Sequence, residues 1–304
     1  MKAEQYRKKG IALMELARRF YLTDISDRIP TVDELCEDTG MSRGTVQSAL
    51  TIMRDDKAIE TQAKGKLGTY LTAKNENTLL SYLDSRGLVC AMPLPYTKHY
   101  EGLATALYKS FSGSPLRLNL AYVSGSLNRL DGLLNNRYNF IITSGLTADY
   151  LEENYQVKKI FELPTESYLS EHVIVFSKGS DKVIKEGMRI GVDTKSLDYA
   201  LLTNEALNKR HVKRVGVPYN QIVQQIISGK IDAAIWNKDE IMSKNYKVSY
   251  REIDSPSVRR ASQAVLIGGN NSDFIQAVVR QRVHTSEIMA IQKGVVSGSI
   301  LPEY

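Results

Sequence analysis

The chain contains little cysteine and no long apolar segment. Cys36 and Cys90 are the only cysteines among 304 residues and lie far apart, so neither a disulfide framework nor a cysteine-based zinc site is expected. No apolar run approaches the roughly 18 residues of a membrane helix. The apolar residues from Ile11 to Leu16 run into Arg18 without the small-residue cleavage site of a signal peptide. These absences predict a soluble, cytoplasmic protein with no metal site and no membrane contact.

The overall charge of the chain is modest. The 40 lysines and arginines exceed the 34 aspartates and glutamates, and the net charge of +6 permits nucleic-acid binding without requiring it. Residues 1–74 contain 13 basic and 11 acidic side chains, so the excess is not concentrated there. The composition, 42% hydrophobic and 24% charged, is that of a globular protein, and the length predicts two globular units.

The first 74 residues carry the pattern of three helices and a hairpin. Apolar residues form one stripe of a first helix at Ile11, Met14, Ala17 and Tyr21. Thr31 and Glu34 have the spacing of a capping box, which begins a short second helix that should end at Gly40. Ser42 can cap a third helix. The inner face of that third helix is Val46, Ala49, Leu50 and Met53.

A two-stranded hairpin is predicted after the third helix. Residues 59–62 and 69–72 are β-prone, and the segment 64–68 between them is short, basic and rich in glycine. The outward face of the third helix carries arginines and short polar side chains: Arg43, Gly44, Thr45, Gln47, Ser48, Thr51 and Arg54. Arginine pairs with guanine and glutamine with adenine in the major groove. Any one of these residues alone fits an ordinary solvated surface better, but the set, together with the short second helix, the tight turn and the basic hairpin, favours a winged helix-turn-helix.

Segments 40–50 and 65–71 together resemble the winged helix-turn-helix domain of GntR-type regulators. The resemblance implies that Ser42, Arg43 and Thr45 approach DNA, and that the glycines of the wing allow the hairpin to approach the minor groove. Gln47 departs from the arginine that is common in that family, which leaves the operator sequence open. The predicted DNA-binding residues are Ser42, Arg43, Thr45, Gln47, Ser48, Lys64, Gly65, Lys66 and Gly68. A homodimer on double-stranded operator DNA is expected.

From residue 88 onward strands alternate with helices, which is typical of an α/β domain. Segments 127–142 and 222–236 repeat one pattern: an amphipathic helix, a tight turn and a buried strand. The repeat favours the two-lobed type 2 periplasmic-binding-protein fold over a single Rossmann-like domain. Residues 272–296 are predicted to form one closing helix. The expected organisation is a DNA-binding domain at 1–74, a linker at 75–87, lobe one at about 88–168 and 263–304, and lobe two at about 169–262.

Further segments resemble the YhfZ family of bacterial proteins. They are residues 89–97, 100–104, 235–237, 295–298 and 302–304. This resemblance covers nearly the whole chain and implies a winged-helix domain fused to a binding-protein-like effector domain, as in a transcriptional regulator.

The expected ligand site lies between the lobes, where strands end and helices begin. Backbone N–H groups and the positive helix terminus favour a carboxylate or phosphate at such places, so a small anionic effector is expected. The predicted ligand-binding residues are Pro95, Tyr96, Thr97, Ser124, Ser126, Ser144, Lys195, Ser196, Trp236 and Asn237. For Ser144 and Ser196, helix capping explains the residue as well as binding does. Segments 166–171 and 255–260 are the predicted crossings between lobes, and Arg259 and Arg260 could face the ligand or solvent.

No motif for catalysis or for a cofactor is present in the sequence. None of the four histidines has the spacing of a metal site or of a nucleophile and its base, and no Walker loop or GxGxxG follows a strand. The sequence therefore predicts a DNA-binding transcriptional regulator with a small-molecule effector, no catalytic activity and no cofactor. The alternative is an enzyme on the binding-protein fold that acts on a small acid in the cleft.

Overall fold

The computed structural model describes residues 2–83, 87–207 and 210–304. The chain divides into two compact units, Met1–Leu88 with Phe111–Asn119, and Val89–Ser110 with Leu120–Tyr304. Residues 84–86 of the predicted linker at 75–87 lie outside the described residues. Within the described part of the chain, no helix is both long and apolar enough to cross a bilayer.

The N-terminal residues of the first unit form helices around a small antiparallel sheet with the strand order β1-β3-β2. The elements are α1 (Lys2–Leu22), β1 (Arg28–Ile29), α2 (Val32–Thr39), α3 (Arg43–Asp55), β2 (Ile59–Ala63), β3 (Thr69–Lys74) and α4 (Glu76–Ser81). Helices α2 and α3 with the β2–β3 hairpin make up the predicted winged helix-turn-helix, which is confirmed. Helix α4 lies within the segment predicted as a linker and is capped by Asn75.

Local capping explains where α2 and α3 begin and end. The Thr31 hydroxyl accepts a hydrogen bond from the Glu34 N–H, and the Glu34 carboxylate accepts one from the Thr31 N–H. Helix α2 then ends at Gly40, whose φ of 67° is the left-handed conformation that glycine adopts without strain. Ser42 caps α3 as predicted. The tight turn between the two helices is therefore fixed by residues that the sequence identifies.

The core of this unit is built from the apolar faces of α1, α2 and α3. The predicted inner face of α3 is fully or almost fully buried, as are Leu16, Phe20, Leu35 and Leu71. Burial of each large apolar side chain stabilises the fold by about 1.5–3 kcal/mol. Because α3 buries this face, its polar face lies outward.

Two five-stranded sheets follow, and each carries helices on its faces. Lobe one contains β4 (Leu88–Met92), α5 (Lys98–Ser110), β5 (Leu118–Tyr122), α6 (Ser126–Leu134), β6 (Phe140–Ser144), α7 (Gly145–Asn154), β7 (Val157–Glu162), β13 (Ala264–Gly269), α12 (Asp273–Arg282) and α13 (Thr285–Ser297). Lobe two contains β8 (His172–Ser177), β9 (Arg189–Val192), α8 (Leu197–Leu207), β10 (Lys213–Gly216), α9 (Ile222–Ile227), β11 (Ala233–Asn237), α10 (Lys238–Ser243) and β12 (Val248–Glu252). Helix α11 (Pro256–Ala261) lies between the two sheets in sequence.

The two sheets have the same arrangement of strands. Lobe one has the order β5-β4-β6-β13-β7 and lobe two the order β10-β9-β11-β8-β12. In each, the fourth strand runs antiparallel to its neighbours. The predicted repeat is confirmed, since α6 with β6 and α9 with β11 occupy equivalent positions. Its two tight turns contain Asn136 and Gly229, with φ of 55° and 69°.

The chain crosses between the lobes twice, at 163–171 and 253–263, and both predicted crossings lie in these segments. The crossings are hydrogen-bonded to each other: the Tyr168 N–H donates to the Ser262 carbonyl at 2.8 Å, and the Ala264 N–H donates to the Ser167 hydroxyl at 2.9 Å. The Gln292 amide on α13 also donates to the Ser167 carbonyl at 2.8 Å. The connection between lobes is thus a bonded pair of segments.

Arg259 and Arg260 occupy α11 within the second crossing. Arg260 forms ion pairs with Asp149 on α7 at 2.7 Å and with Glu162 on β7 at 2.8 Å. Its charge is therefore paired within the protein, and the ion pairs hold α11 against α7 and β7. Arg259 is exposed and lies 3.1 Å from Asp254. Neither arginine lines the cavities described below.

The prediction of one closing helix over 272–296 is wrong. Helix α12 ends at Arg282, and Val283 adopts an extended conformation with its side chain buried. A separate helix α13 begins at Thr285, where Thr, Ser and Glu follow one another in a typical start sequence. The sequence pattern does not predict α7, β7, β10, α10, α11 or β12.

Candidate functional site

The outward face of α3 in the first unit is polar and accessible. Arg43 and Gln47 are exposed, whereas Thr45 and Ser48 are half-buried. Ser42 is engaged in capping: its hydroxyl lies 2.9 Å from the Thr45 hydroxyl and accepts the Thr45 N–H. The long exposed side chains of this face are those of Arg43, Gln47 and Arg54, and Arg54 donates to the Thr61 hydroxyl at 3.3 Å.

Arg43 forms an ion pair with Asp33 on α2. The two side chains are 60% and 72% exposed, and an ion pair in such surroundings contributes only about 0–1 kcal/mol. Arg43 can therefore exchange this carboxylate for a phosphate or a base edge at little cost.

The tip of the β2–β3 hairpin is a short turn rich in basic residues. Gly65 and Gly68 have φ of 56° and 95°, a region that glycine adopts without the strain that other residues incur. Lys64 and Lys66 are exposed. The Lys64 ammonium lies 4.3 Å from the centre of the Tyr70 ring, which orients it without neutralising its charge. The tip therefore presents two positive charges.

Two adjoining cavities lie where the loops of lobe one and lobe two face each other. The smaller has a volume of about 50 Å³ and the larger of about 440 Å³. Both are lined by Tyr96, Ser124, Asp193 and Tyr219. Further aromatic rings line the smaller cavity, namely Tyr100, Tyr168 and Tyr199. This aromatic wall with few charged groups is typical of a small-molecule site.

Arg129 on α6 is the cationic side chain of the smaller cavity and is only 3% exposed. Its guanidinium donates to the carbonyls of Ile142 at 3.1 Å and Val123 at 2.9 Å, and weakly to the Tyr168 hydroxyl at 3.4 Å. These acceptors fix the plane of the guanidinium and leave its charge without an ion-pair partner among the described residues.

Burial shifts the pKa of two other groups in the smaller cavity. It lowers the pKa of His172 to about 3, so the imidazole is neutral, and its Nδ1 has no hydrogen-bond partner among the residues described. Burial also raises the pKa of Asp198, although hydrogen bonds from the hydroxyls of Ser144 and Thr147, and the charge of Arg129, act in the opposite direction. Both shifts follow from the loss of water around the charged form.

Two of the loops predicted to bind a ligand contact each other. The Ser126 hydroxyl on lobe one accepts the Leu197 N–H on lobe two at 3.1 Å. A Cβ on Gly125, whose φ is 80°, would lie 3.0 Å from the Lys195 carbonyl oxygen, so the close approach depends on glycine. Ser126 itself is buried and does not line either cavity.

The other predicted ligand residues are divided between the cavities and the core. Tyr96 and Ser124 line both cavities, Ser196 lines the smaller and Lys195 the larger. The side chains that do not reach a cavity are Pro95, Thr97, Ser144, Trp236 and Asn237.

Capping and packing explain why those side chains lie elsewhere. The hydroxyls of Thr97 and Ser144 accept backbone N–H groups at the starts of α5 and α7, and the Asn237 amide oxygen accepts the Asp239 N–H. Trp236 is buried beneath Tyr219, with ring centres 4.1 Å apart.

Comparison with known proteins identifies the chain. The family model of the YhfZ C-terminal domain matches residues 75–304, and a helix-turn-helix domain model matches residues 24–71. An uncharacterised protein of Escherichia coli strain K12, YhfZ, is 32% identical over 305 residues, which is 98% of each chain. The chain belongs to the YhfZ family.

Solved structures agree with this assignment. The crystal structure of YhfZ from Shigella flexneri is similar with a TM-score of 0.64 and 32% identity, and the match covers 75% of this chain and 97% of that one. An ancestral arginine-binding protein bound to arginine is similar with a TM-score of 0.51 and 14% identity over 71% of this chain and 97% of that one. This second likeness shows the binding-protein fold alone. The chain therefore joins a helix-turn-helix domain to a domain with the binding-protein fold.

The cavity of this YhfZ-family chain also contains residues that the sequence analysis did not select. Arg129 interrupts the buried stripe of α6, formed with Ser126, Leu130 and Leu133, and a cation on an inward face is a signal that the sequence offers. His172 begins β8, and its position beside the cavity depends on how the two lobes meet.

Proposed function

We propose that this chain is a cytoplasmic, ligand-responsive transcriptional regulator that binds operator DNA as a homodimer. The observation that carries the proposal is the outward polar face of α3, joined in one chain to a two-lobed domain with a buried polar cavity. The resemblance of the first domain to GntR-type regulators supports the same role. A cytoplasmic location follows from the proposed contact with chromosomal DNA.

In the proposed complex α3 lies in the major groove and the hairpin tip lies on the backbone. Arg43 and Gln47, near the start of α3, are exposed and long enough to reach base edges, while Thr45 and Ser48 contact the groove wall. Lys64 and Lys66 neutralise phosphates, which positions the domain without reading sequence. The glycines Gly65 and Gly68 keep the tip narrow.

The proposed effector is a small metabolite with a negatively charged group, held between the lobes. Arg129 supports this, because a buried guanidinium without an ion-pair partner favours an anion beside it. Ser124, Ser196 and Tyr96 line the same cavity and supply hydrogen bonds and an aromatic face. Lys195 borders the larger cavity and adds positive charge at its entrance.

We further propose that the cavity binds without catalysing a reaction. His172 is the histidine of the cavity lining, and its Nδ1 accepts and donates no hydrogen bond among the described residues, so no carboxylate or hydroxyl is positioned on that nitrogen. A metabolite that binds the closed lobes more tightly than the open lobes shifts the population toward closure, and closure changes the spacing of the two DNA-binding domains in the dimer.

An electrophoretic mobility shift of the full chain on its own upstream DNA tests the proposal. We expect a discrete shift that survives non-specific competitor and weakens steeply as salt rises. Sedimentation of the complex should give two chains per operator. Folded protein that shifts upstream and random DNA equally would contradict the proposed regulatory role.

A further inference from the structure

Two buried side chains of opposite charge line the smaller cavity, and neither has an ion-pair partner within 4 Å in the described part of the chain. Arg129 is 3% exposed and Asp193 is 9% exposed. Buried charges in proteins are normally paired, because desolvation without compensation is costly. A ligand that carries one negative and one positive group would therefore supply the missing counter-charge to each of these two side chains.

In the described part of the chain, the Asp193 carboxylate accepts hydrogen bonds from backbone N–H groups alone. One carboxylate oxygen accepts the Lys195 N–H at 2.9 Å and the other accepts the Tyr219 N–H at 3.1 Å. These bonds fix the orientation of the carboxylate, which can accept two further bonds, and they do not supply a positive charge. Asp193 lines both cavities, so its free acceptor positions are accessible to a ligand.

A third charged group, Asp198, sets the charge of the cavity. One of its carboxylate oxygens accepts the hydroxyls of Ser144 and Thr147. With Asp198 ionised, the side chains of Arg129, Asp193 and Asp198 leave an excess of negative charge, and with Asp198 protonated they sum to zero. A simple anion would leave the negative charge of Asp193 without a counter-charge, whether Asp198 is ionised or protonated. A ligand with one positive and one negative group can pair with both Asp193 and Arg129.

We propose that the effector is a zwitterion of the α-amino acid class, with its carboxylate on Arg129 and its ammonium on Asp193. This inference rests on the proposed function, which specifies only a negatively charged group. The small cavity of about 50 Å³ takes the charged end of the ligand. The adjoining cavity of about 440 Å³, bordered by Tyr96, Lys195 and Asn220, takes its side chain.

The fluorescence of the single tryptophan can be used to measure ligand binding. Trp236 lies 4.1 Å from the ring of Tyr219, and Tyr219 lines both cavities, so occupation of the cleft should change the tryptophan fluorescence. The full chain is titrated with each common L-amino acid. The best binder is then compared with two analogues: the 2-hydroxy acid, which lacks the ammonium, and the amine, which lacks the carboxylate. We expect both analogues to bind about 10- to 100-fold more weakly.

The Asp193→Asn variant separates charge recognition from a structural role. The amide keeps an oxygen that can accept a backbone N–H but carries no charge. Affinity for the amino acid should fall about tenfold or more, while affinity for the 2-hydroxy acid stays constant or rises, so the preference between the two ligands changes. Asp181→Asn is the matched control in the same lobe, because Asp181 is exposed and paired with Lys185.

The outcomes are distinguishable from failure of the proposed function. Binding of the 2-hydroxy acid as tightly as the amino acid, with no effect of Asp193→Asn, would overturn the zwitterion and leave an anionic effector in place. The absence of binding by every amino acid also overturns it, and an unchanged operator shift by the same preparation would show that the DNA-binding role stands. Loss of preference in Asp193→Asn but not in Asp181→Asn supports it.

Discussion

The hydroxyl of Ser144 donates a hydrogen bond to the carboxylate of Asp198, and the two residues belong to different lobes. Ser144 caps α7 in lobe one, and Asp198 lies in the first turn of α8 in lobe two. The Thr147 hydroxyl donates to the same carboxylate oxygen at 2.7 Å. The N-terminus of α7, a place where the sequence predicts an anionic ligand, thus holds a carboxylate of the chain itself.

Removal of this carboxylate should destabilise the contact between the lobes. Asp198→Ala leaves the buried hydroxyls of Ser144 and Thr147 without an acceptor, which should cost about 1–3 kcal/mol in the free energy of unfolding. Asp198→Asn keeps an accepting oxygen and should lie between wild type and the alanine variant. Urea unfolding followed by Trp236 fluorescence measures both. Asp131→Ala, at an exposed ion pair with Arg137, should change the stability by no more than about 0.5 kcal/mol, and an equal loss there would contradict the expectation.

Loss of the exposed arginine on α3 should weaken specific DNA binding. Arg43→Ala removes a side chain able to pair with a base edge and should weaken binding to the upstream DNA by about 1–3 kcal/mol. Its thermal stability should remain at the wild-type value, since Arg43 is exposed. Arg137→Ala removes an equally exposed arginine from lobe one and serves as the control. Wild-type affinity in the Arg43 variant would remove this residue from the contact surface.

Asp33 should oppose DNA binding, because it pairs with Arg43 and places a negative charge beside it. Asp33→Ala releases Arg43 and removes repulsion with phosphate, so affinity should rise up to about fivefold at low salt. The gain should shrink as salt screens the charge. Mobility shifts at several salt concentrations check both statements, and a decrease in affinity would show that Asp33 instead holds Arg43 in its binding position.

The basic hairpin tip should determine part of the salt dependence. Each phosphate contact contributes about 0.9 to the slope of log K against log salt on duplex DNA. The double variant Lys64→Ala, Lys66→Ala should therefore lower the steepness of that slope by about 1 to 2. Specific and non-specific DNA should lose affinity alike, because phosphate contacts carry no sequence information. A change in sequence preference with an unchanged slope would place the lysines at base edges.

His172 should make the protein less stable as the pH falls from about 6.5 toward 3. The unfolded imidazole, with a pKa near 6.5, takes up a proton in this range, whereas burial holds the folded pKa at about 3. Protonation therefore favours the unfolded state by up to about 1.4 kcal/mol per pH unit. Burial raises the pKa of Asp198, which acts in the opposite direction in wild type and variant alike. His172→Gln should show a smaller fall in unfolding free energy over this range; identical pH profiles would contradict the neutral, buried imidazole.

The local elements of the first unit follow from its sequence because short-range chemistry determines them. The capping box at Thr31 and Glu34, the left-handed Gly40 and the cap at Ser42 each involve residues within a few positions of one another. The buried stripe of α3 follows from helical periodicity in the same way.

The cavities between the lobes were less accessible to prediction because they depend on contacts between distant segments. Asp198 meets Ser144 across 54 positions of sequence, and Gly125 approaches the Lys195 carbonyl. The strand–helix loops predict some of the residues that line the cavities, yet the polar groups of the lining also include Arg129 and His172, which lie on an inward helix face and at a strand end. No local pattern shows that these surfaces face one cavity.

The two crossing segments, bonded to each other through Tyr168 and Ser262 and through Ser167 and Ala264, limit how the lobes can move. A single connecting segment would leave the lobes free to twist as well as to bend. Two segments hydrogen-bonded to each other resist twisting, so bending about this pair is the favoured relative motion of the lobes. A molecule that bridged the two lobes would act on that one motion.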